Sequence, residues 1–221
     1  MKQKNFLLKL WIVLVVITGI GYVYLDRPIA NFVDAHNVRT LLSPYLKNVV
    51  EIPSVVNWCA PLLAGLIAFA FSFNVLRTRF LQAIFLICLN LSVIYPIKNF
   101  LKWCFSRYWP TTWKDNNLSW IQNHAYGFNW FVGEPFNARD AMASFPSGHS
   151  TVIFAIMGLV SLLYPKLRVF AFAIAFFEAA TLVLFNYHFF SDVTAGMLLG
   201  WTSAIIAYHV YKNRLNSRHS V

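Results

Sequence analysis

Three stretches of this sequence carry groups able to handle a tetrahedral oxyanion. FPSGHST, residues 145–151, sets a Ser, a Gly and a His at the mouth of an apolar run. The amides of Ser147, Gly148 and His149 then stand at a helix N-terminus, where unbonded N–H groups and the helix dipole favour an anion. Gly148 lets the backbone approach a ligand closely. NYHFFSDVTAG, residues 186–196, spaces His188 and Asp192 four apart, which is one face of a helical turn. A carboxylate bonded to one imidazole nitrogen fixes the tautomer and leaves the other nitrogen a base or nucleophile. KWCFSRYWP, residues 102–110, adds two fixed charges, Lys102 and Arg107, beside Pro110. Brought together, these groups suit phosphoryl transfer: one His attacks phosphorus, the other protonates the leaving oxygen, and cations and amides hold the charged oxygens.

Each stretch alone has a plainer reading. Lys102 and Arg107 are also what snorkelling cations look like at the end of a span. Ser147 is also an ordinary N-cap beside an interfacial His, and Asp192 is placed to cap a helix locally with His188. What tips the balance is the set of elements that must carry them.

The chain has 221 residues, 58% of them hydrophobic and 12% charged, against about 25% charged in an ordinary soluble domain. Six apolar runs, near 6–25, 54–74, 81–101, 149–164, 169–187 and 193–211, read as membrane spans. A soluble helical domain would need polar faces that most of these runs lack. The expected architecture is therefore all-α: one polytopic membrane domain over residues 1–221 with six transmembrane helices, its motifs within 98–200. The first run is expected to be a retained helix, since no small-residue cleavage site follows it.

With the N-terminus in the cytoplasm, the cytoplasmic pieces hold Lys2, Lys4, Lys9, Arg77, Arg79, Lys166, Arg168, Lys212, Arg214 and Arg218 and no acidic residue. The net charge of +10 is thus a topology signal, and no basic stripe in a soluble segment suggests nucleic acid. Two loops, 26–53 and 102–146, face outward. All three reactive stretches fall on that side. The long loop 102–146 is rich in aromatics, among them Trp109, Trp113, Trp120, Trp130 and Phe131, and is expected to be ordered at headgroup depth. Cys59, Cys88 and Cys104 have no metal-ligand spacing and read as packing residues. Glu178, inside the fifth run, is either a functional carboxylate or a structural hydrogen-bond partner.

These residues resemble the type 2 phosphatidic acid phosphatase family, whose helical fold is shared with vanadium haloperoxidases. The family's motifs are Lys-x6-Arg-Pro, Pro-Ser-Gly-His and Ser-Arg-x5-His-x3-Asp. The second is complete as Pro146-Ser147-Gly148-His149, and the His-x3-Asp half of the third as His188 to Asp192. Two departures stand out: the first-motif Arg falls at Trp109, and the third-motif Ser-Arg at Thr181-Leu182. Both family arginines are absent, and a bidentate Arg–phosphate pair is not easily replaced.

The resemblance implies a metal-independent lipid phosphatase with no cofactor. His188 would be the nucleophile forming a phosphohistidine, Asp192 its orienter and His149 the acid and then base. Lys102, Arg107, Ser147 and Gly148 would bind phosphate, with Arg139 a further candidate. It also implies a bacterial inner-membrane protein, both termini cytoplasmic and the site periplasmic. The expected substrate is a lipid phosphate: polyprenyl pyrophosphate, phosphatidate, phosphatidylglycerol phosphate or lipid A, the aromatic loop being loosely similar to lipid-A-phosphatase-like members. A catalytically impaired lipid binder or flippase of the same fold, and a lipid phosphotransferase, are the alternatives.

Overall fold

The structure, a computed structural model, describes residues 2–72, 78–113, 116–135 and 141–218. The described residues are mainly helical. In place of strands, the described residues hold only isolated bridges, which tie Arg107 to Phe128 and Ala143, and Trp109 to Ser119. The helices are α1 (Lys2–Ile20), α2 (Asp26–Ala35), α3 (Val38–Ser72), α4 (Arg79–Phe105), the single turn α5 (Trp120–Asn123), α6 (Gly148–Leu163), α7 (Arg168–Leu184) and α8 (Phe190–Arg218).

The described residues of the six expected spans fall mainly on helices, but the lengths differ from the expectation. Among the described residues, four segments are long and apolar enough to cross a membrane: Trp11–Ala35, Arg79–Phe105, Pro165–Leu184 and Phe190–Asn213. The apolar parts of the other two, Trp58–Ala70 and Gly148–Leu163, are shorter. At about 1.5 Å per residue, 16 residues reach roughly 24 Å, short of a hydrocarbon core of about 30 Å. The expected outer loop at 26–53 is corrected outright. It is helical, because α1 runs through a π turn (Gly21–Leu25) into α2, and α3 continues through Pro44, Pro53 and Pro61.

The molecule is apolar outside and polar within. Val169, Phe170, Phe176 and Phe177 of α7 and Leu62, Leu66 and Phe69 of α3 face outward, while Asp26, Lys98, Lys102, Arg107, His188 and Asp192 are buried. A surface in water would be mostly free of so wide an apolar area. Lipid around the helices accounts for it, and the chain is an integral membrane protein.

Helices α6 and α8 form the centre. Gly196 and Gly200, one turn apart on α8, let the two backbones touch. A methyl group at Gly200 would lie 2.2 Å from the Thr151 carbonyl oxygen and 2.9 Å from the Ala155 nitrogen; at Gly196 it would lie 2.6 Å from the Ser147 carbonyl oxygen. This is small-residue packing between membrane helices. Gly200→Ala is expected to cost at least about 1–3 kcal/mol through overpacking, read as a lower thermal midpoint in detergent. Gly19→Ala, with nothing within 4 Å of the added carbon, is the control. Equal midpoints for the two variants would contradict the close approach.

Candidate active site

Three helix ends bring the reactive stretches together. Helix α4 starts on the Thr78 hydroxyl, which accepts from Leu81 N at 3.3 Å. It ends at Ser106 in the left-handed region, φ 41°. That turn is held by its own side chain: Ser106 Oγ donates to the Trp103 carbonyl (2.6 Å) and accepts from Val132 N (2.9 Å). Lys102 therefore sits in the last helical turn, and Arg107 follows just beyond, turned inward. Helix α6 is capped by Ser147, whose Oγ accepts from Ser150 N at 3.3 Å. The Ser147 N–H donates to the Asp192 carbonyl at 2.9 Å, which joins the start of α6 to the start of α8.

His188 lies between α7 and α8, 3% exposed. Its Nδ1 is 3.7 Å from Asp192 Oδ2 and 3.5 Å from Ser144 Oγ. The first distance is too long for a hydrogen bond. Asp192 is fully buried and held from several sides. Its Oδ2 accepts from Ser144 Oγ (2.6 Å) and from Phe189 N (3.0 Å), and its Oδ1 accepts from Arg107. So Asp192 both faces the imidazole and caps its own helix; the two readings of that residue coexist. With Nδ1 turned to the carboxylate, Nε2 is the nitrogen left to react. Burial, partly offset by Asp192, holds the His188 imidazole below its ordinary pKa, so it is neutral at neutral pH.

His149, in the first turn of α6, is partly buried. Its ring centroid is 6.2 Å from that of His188. Lys102, 3% exposed, donates to the Ala143 carbonyl, and its ammonium lies 5.5 Å from the Trp109 ring. The Trp109 ring is in turn 5.0 Å from His188. An aromatic thus stands against the imidazole where the family pattern has an arginine. Leu182, at the other departure, points into the apolar core with Ile153, Phe154 and Ala175.

Arg107 is brought to this cluster, but to the far side of Asp192. Its two terminal nitrogens meet Asp192 Oδ1, Ser191 Oγ (2.7 Å) and Asp26 Oδ2 (2.6 Å). The Phe189 and Tyr22 rings lie 4.5 and 5.0 Å from it. Burial would lower its pKa, but Asp192 and Asp26 outweigh that and hold it above its usual value. A guanidinium so engaged has little left for a phosphate. Of the expected anion-binding amides, that of Ser147 is taken by Asp192. Arg139 lies outside the described residues.

Sequence reasoning missed Asp26. It is 1% exposed and also accepts from Ser191 N (2.8 Å), Ser191 Oγ (2.5 Å) and Tyr126 OH (3.1 Å). It missed Ser144 and Lys98 as well; for Lys98 the signal was a lysine inside an apolar run. Glu178 is buried, and neither of its carboxyl oxygens has a hydrogen-bond partner among the described residues. The described residues include no group of three or more His, Cys, Asp or Glu side chains able to hold a metal.

One end of this integral membrane protein gathers a buried His–Asp pair, a buried lysine and a second, partly buried His. The PAP2 superfamily model matches residues 79–216, well over half of the chain, and the chain belongs to that superfamily. It is 38% identical over 86 residues to a lipid A 1-phosphatase of Rhizobium johnstonii, covering 38% of this chain and 35% of that protein. A lipid A 1-phosphatase of Rhizobium etli is likewise 38% identical over 86 residues, covering 37% of its length. The match thus spans little more than a third of these curated relatives. No solved structure matches the chain significantly.

Proposed function

We propose that the protein is a membrane lipid phosphatase, hydrolysing a phosphomonoester or pyrophosphate of a membrane lipid through a phosphohistidine at the outer, periplasmic face of a bacterial inner membrane. The observation that carries this reading is the facing of two imidazoles 6.2 Å apart, with a fully buried carboxylate behind one of them. His188 Nε2 attacks phosphorus while His149 gives its proton to the leaving oxygen, and the P–O bond to the lipid breaks. His149 then takes a proton from water, which attacks the phosphohistidine. Phosphate leaves and His188 is regenerated. Lys102 and the Gly148 amide hold the phosphoryl oxygens. The positive charge this chemistry needs comes from lysine in this scheme, with no metal required.

Lipid A is the leading substrate, on the strength of the two relatives. The test is phosphate release by purified protein in detergent from lipid A, polyprenyl pyrophosphate, phosphatidate and phosphatidylglycerol phosphate. Fastest release from lipid A is expected. Faster release from another lipid would replace the substrate and keep the reaction. No release from any of them, by folded protein, would turn the reading to a lipid binder, the alternative that Trp109 and Leu182 favour.

A further inference from the structure

We propose that Lys98 is a second phosphate-binding cation, supplying charge that the residues at Trp109 and Leu182 do not. The inference rests on the phosphatase reading and deepens it. Lys98 and Lys102 are one turn apart on α4 and share a face. Both are buried, at 5% and 3% exposure. Both stems cross the first residue of α6: a carbon added at Gly148 would lie 3.6 Å from Lys102 Cε and 3.7 Å from Lys98 Cδ and Cε. The two chains therefore converge on the helix start next to His149.

The partners of Lys98 are neutral. Its ammonium donates to Asn99 Oδ1 at 2.7 Å and lies 4.4 Å from the Tyr95 ring centroid. Among the described residues no carboxylate comes within ion-pair distance of either lysine. Arg107 is the opposite case, with two carboxylates on one guanidinium. Two lysines buried one turn apart with converging stems are costly without a countercharge. A phosphate dianion matches them in charge, and lysine binds phosphate as a point charge where the planar arginine fork is missing. One arginine's worth of charge is thereby moved from the loop, where Trp109 now stands, to the helix one turn before Lys102.

The probes are inorganic phosphate and orthovanadate, titrated calorimetrically into the full-length protein in detergent. The variants are Lys98→Met, which keeps the stem and removes the charge, and Lys98→Arg, which keeps the charge. Lys98→Met is expected to weaken both anions by about ten- to a hundredfold, the loss of one charge-assisted contact. Its thermal midpoint should be equal to or above that of wild type, since a buried uncompensated charge is gone. Lys98→Arg should bind within a few-fold of wild type. The proposal is overturned if Lys98→Met binds as wild type does, or if wild type binds neither anion. A lower midpoint with unchanged anion affinity would mark Lys98 as structural and also overturn it. Anion binding that depends on Lys98, in a protein that hydrolyses no lipid, would leave this proposal standing and sink the phosphatase reading alone.

Discussion

His188→Ala is expected to abolish phosphate release, with a loss on the order of 10⁴-fold or more, the scale seen when a nucleophile is removed from a covalent mechanism. His149→Ala should cost less, about 10²–10⁴-fold, because it removes proton transfer and leaves the nucleophile. The pH profile gives a second check. Burial holds His188 below its ordinary pKa, so the reactive neutral form persists as pH falls past the usual histidine value of about 6.5. Protonation at lower pH removes the attacking lone pair, so the acid limb of the kcat/KM profile should lie there, while loss of the His149 proton sets the alkaline limb. Initial rates with a fixed lipid substrate from pH 4 to 8 would show it. An acid limb that already falls as pH drops below 7.5, or a His188→Ala enzyme with near-normal rates, would remove His188 from the nucleophile role.

Asp26→Ala is expected to damage the protein nearly as much, though Asp26 belongs to no motif. Removing it takes one carboxylate from Arg107 and the acceptor from Ser191 N, Ser191 Oγ and Tyr126 OH. Breaking one side of a buried ion pair costs about 3–5 kcal/mol, because the remaining charge stays buried. The thermal midpoint in detergent should drop accordingly. Catalysis should fall too, since Arg107 would then lean wholly on Asp192, the proposed orienter of His188. The expected signature is lower kcat with KM little changed, measured well below the midpoint. Asp26→Asn, which keeps an acceptor for Ser191 N but no charge, should fall between. An Asp26→Ala protein with wild-type midpoint and kcat would show that the Arg107 network carries no weight.

The core of the candidate site could be read from spacing alone. His188 and Asp192 are four apart and Pro146–His149 opens an apolar run, so both had to lie at helix ends, and charge placement put those ends on one side. Pairings made through space were less accessible. Arg107 follows Ser106, and its direction depends on a left-handed residue that nothing in the local composition demands. Its service to Asp192 therefore looked like service to phosphate. Ser144 lies in an irregular segment with no periodicity to orient it. Lys98 was within reach, since a lysine one turn before Lys102 in an apolar run shares its face. The helical course of 26–53 was missed, and α3 runs through Pro44 and Pro53 there, residues that more often end a helix.

The π turn at Gly21–Leu25 has a mechanical meaning. Asp26 N bonds back five residues to Gly21 O, and the Tyr22 carbonyl takes the Tyr126 hydroxyl at 2.5 Å. Such a turn holds one residue more than the α-helix it interrupts, and each residue advances a helix by about 100°. It therefore acts as a phase shifter between the apolar rod of α1 and the polar end that begins at Asp26. Tyr24 and Leu25 face outward while Asp26 faces in. A one-residue deletion here would leave every motif intact and the hydropathy of the first helix unchanged. It would also swing the Asp26 carboxylate by about a quarter turn, away from Arg107. The length of the first helix, counted in single residues, is in this sense part of the candidate site.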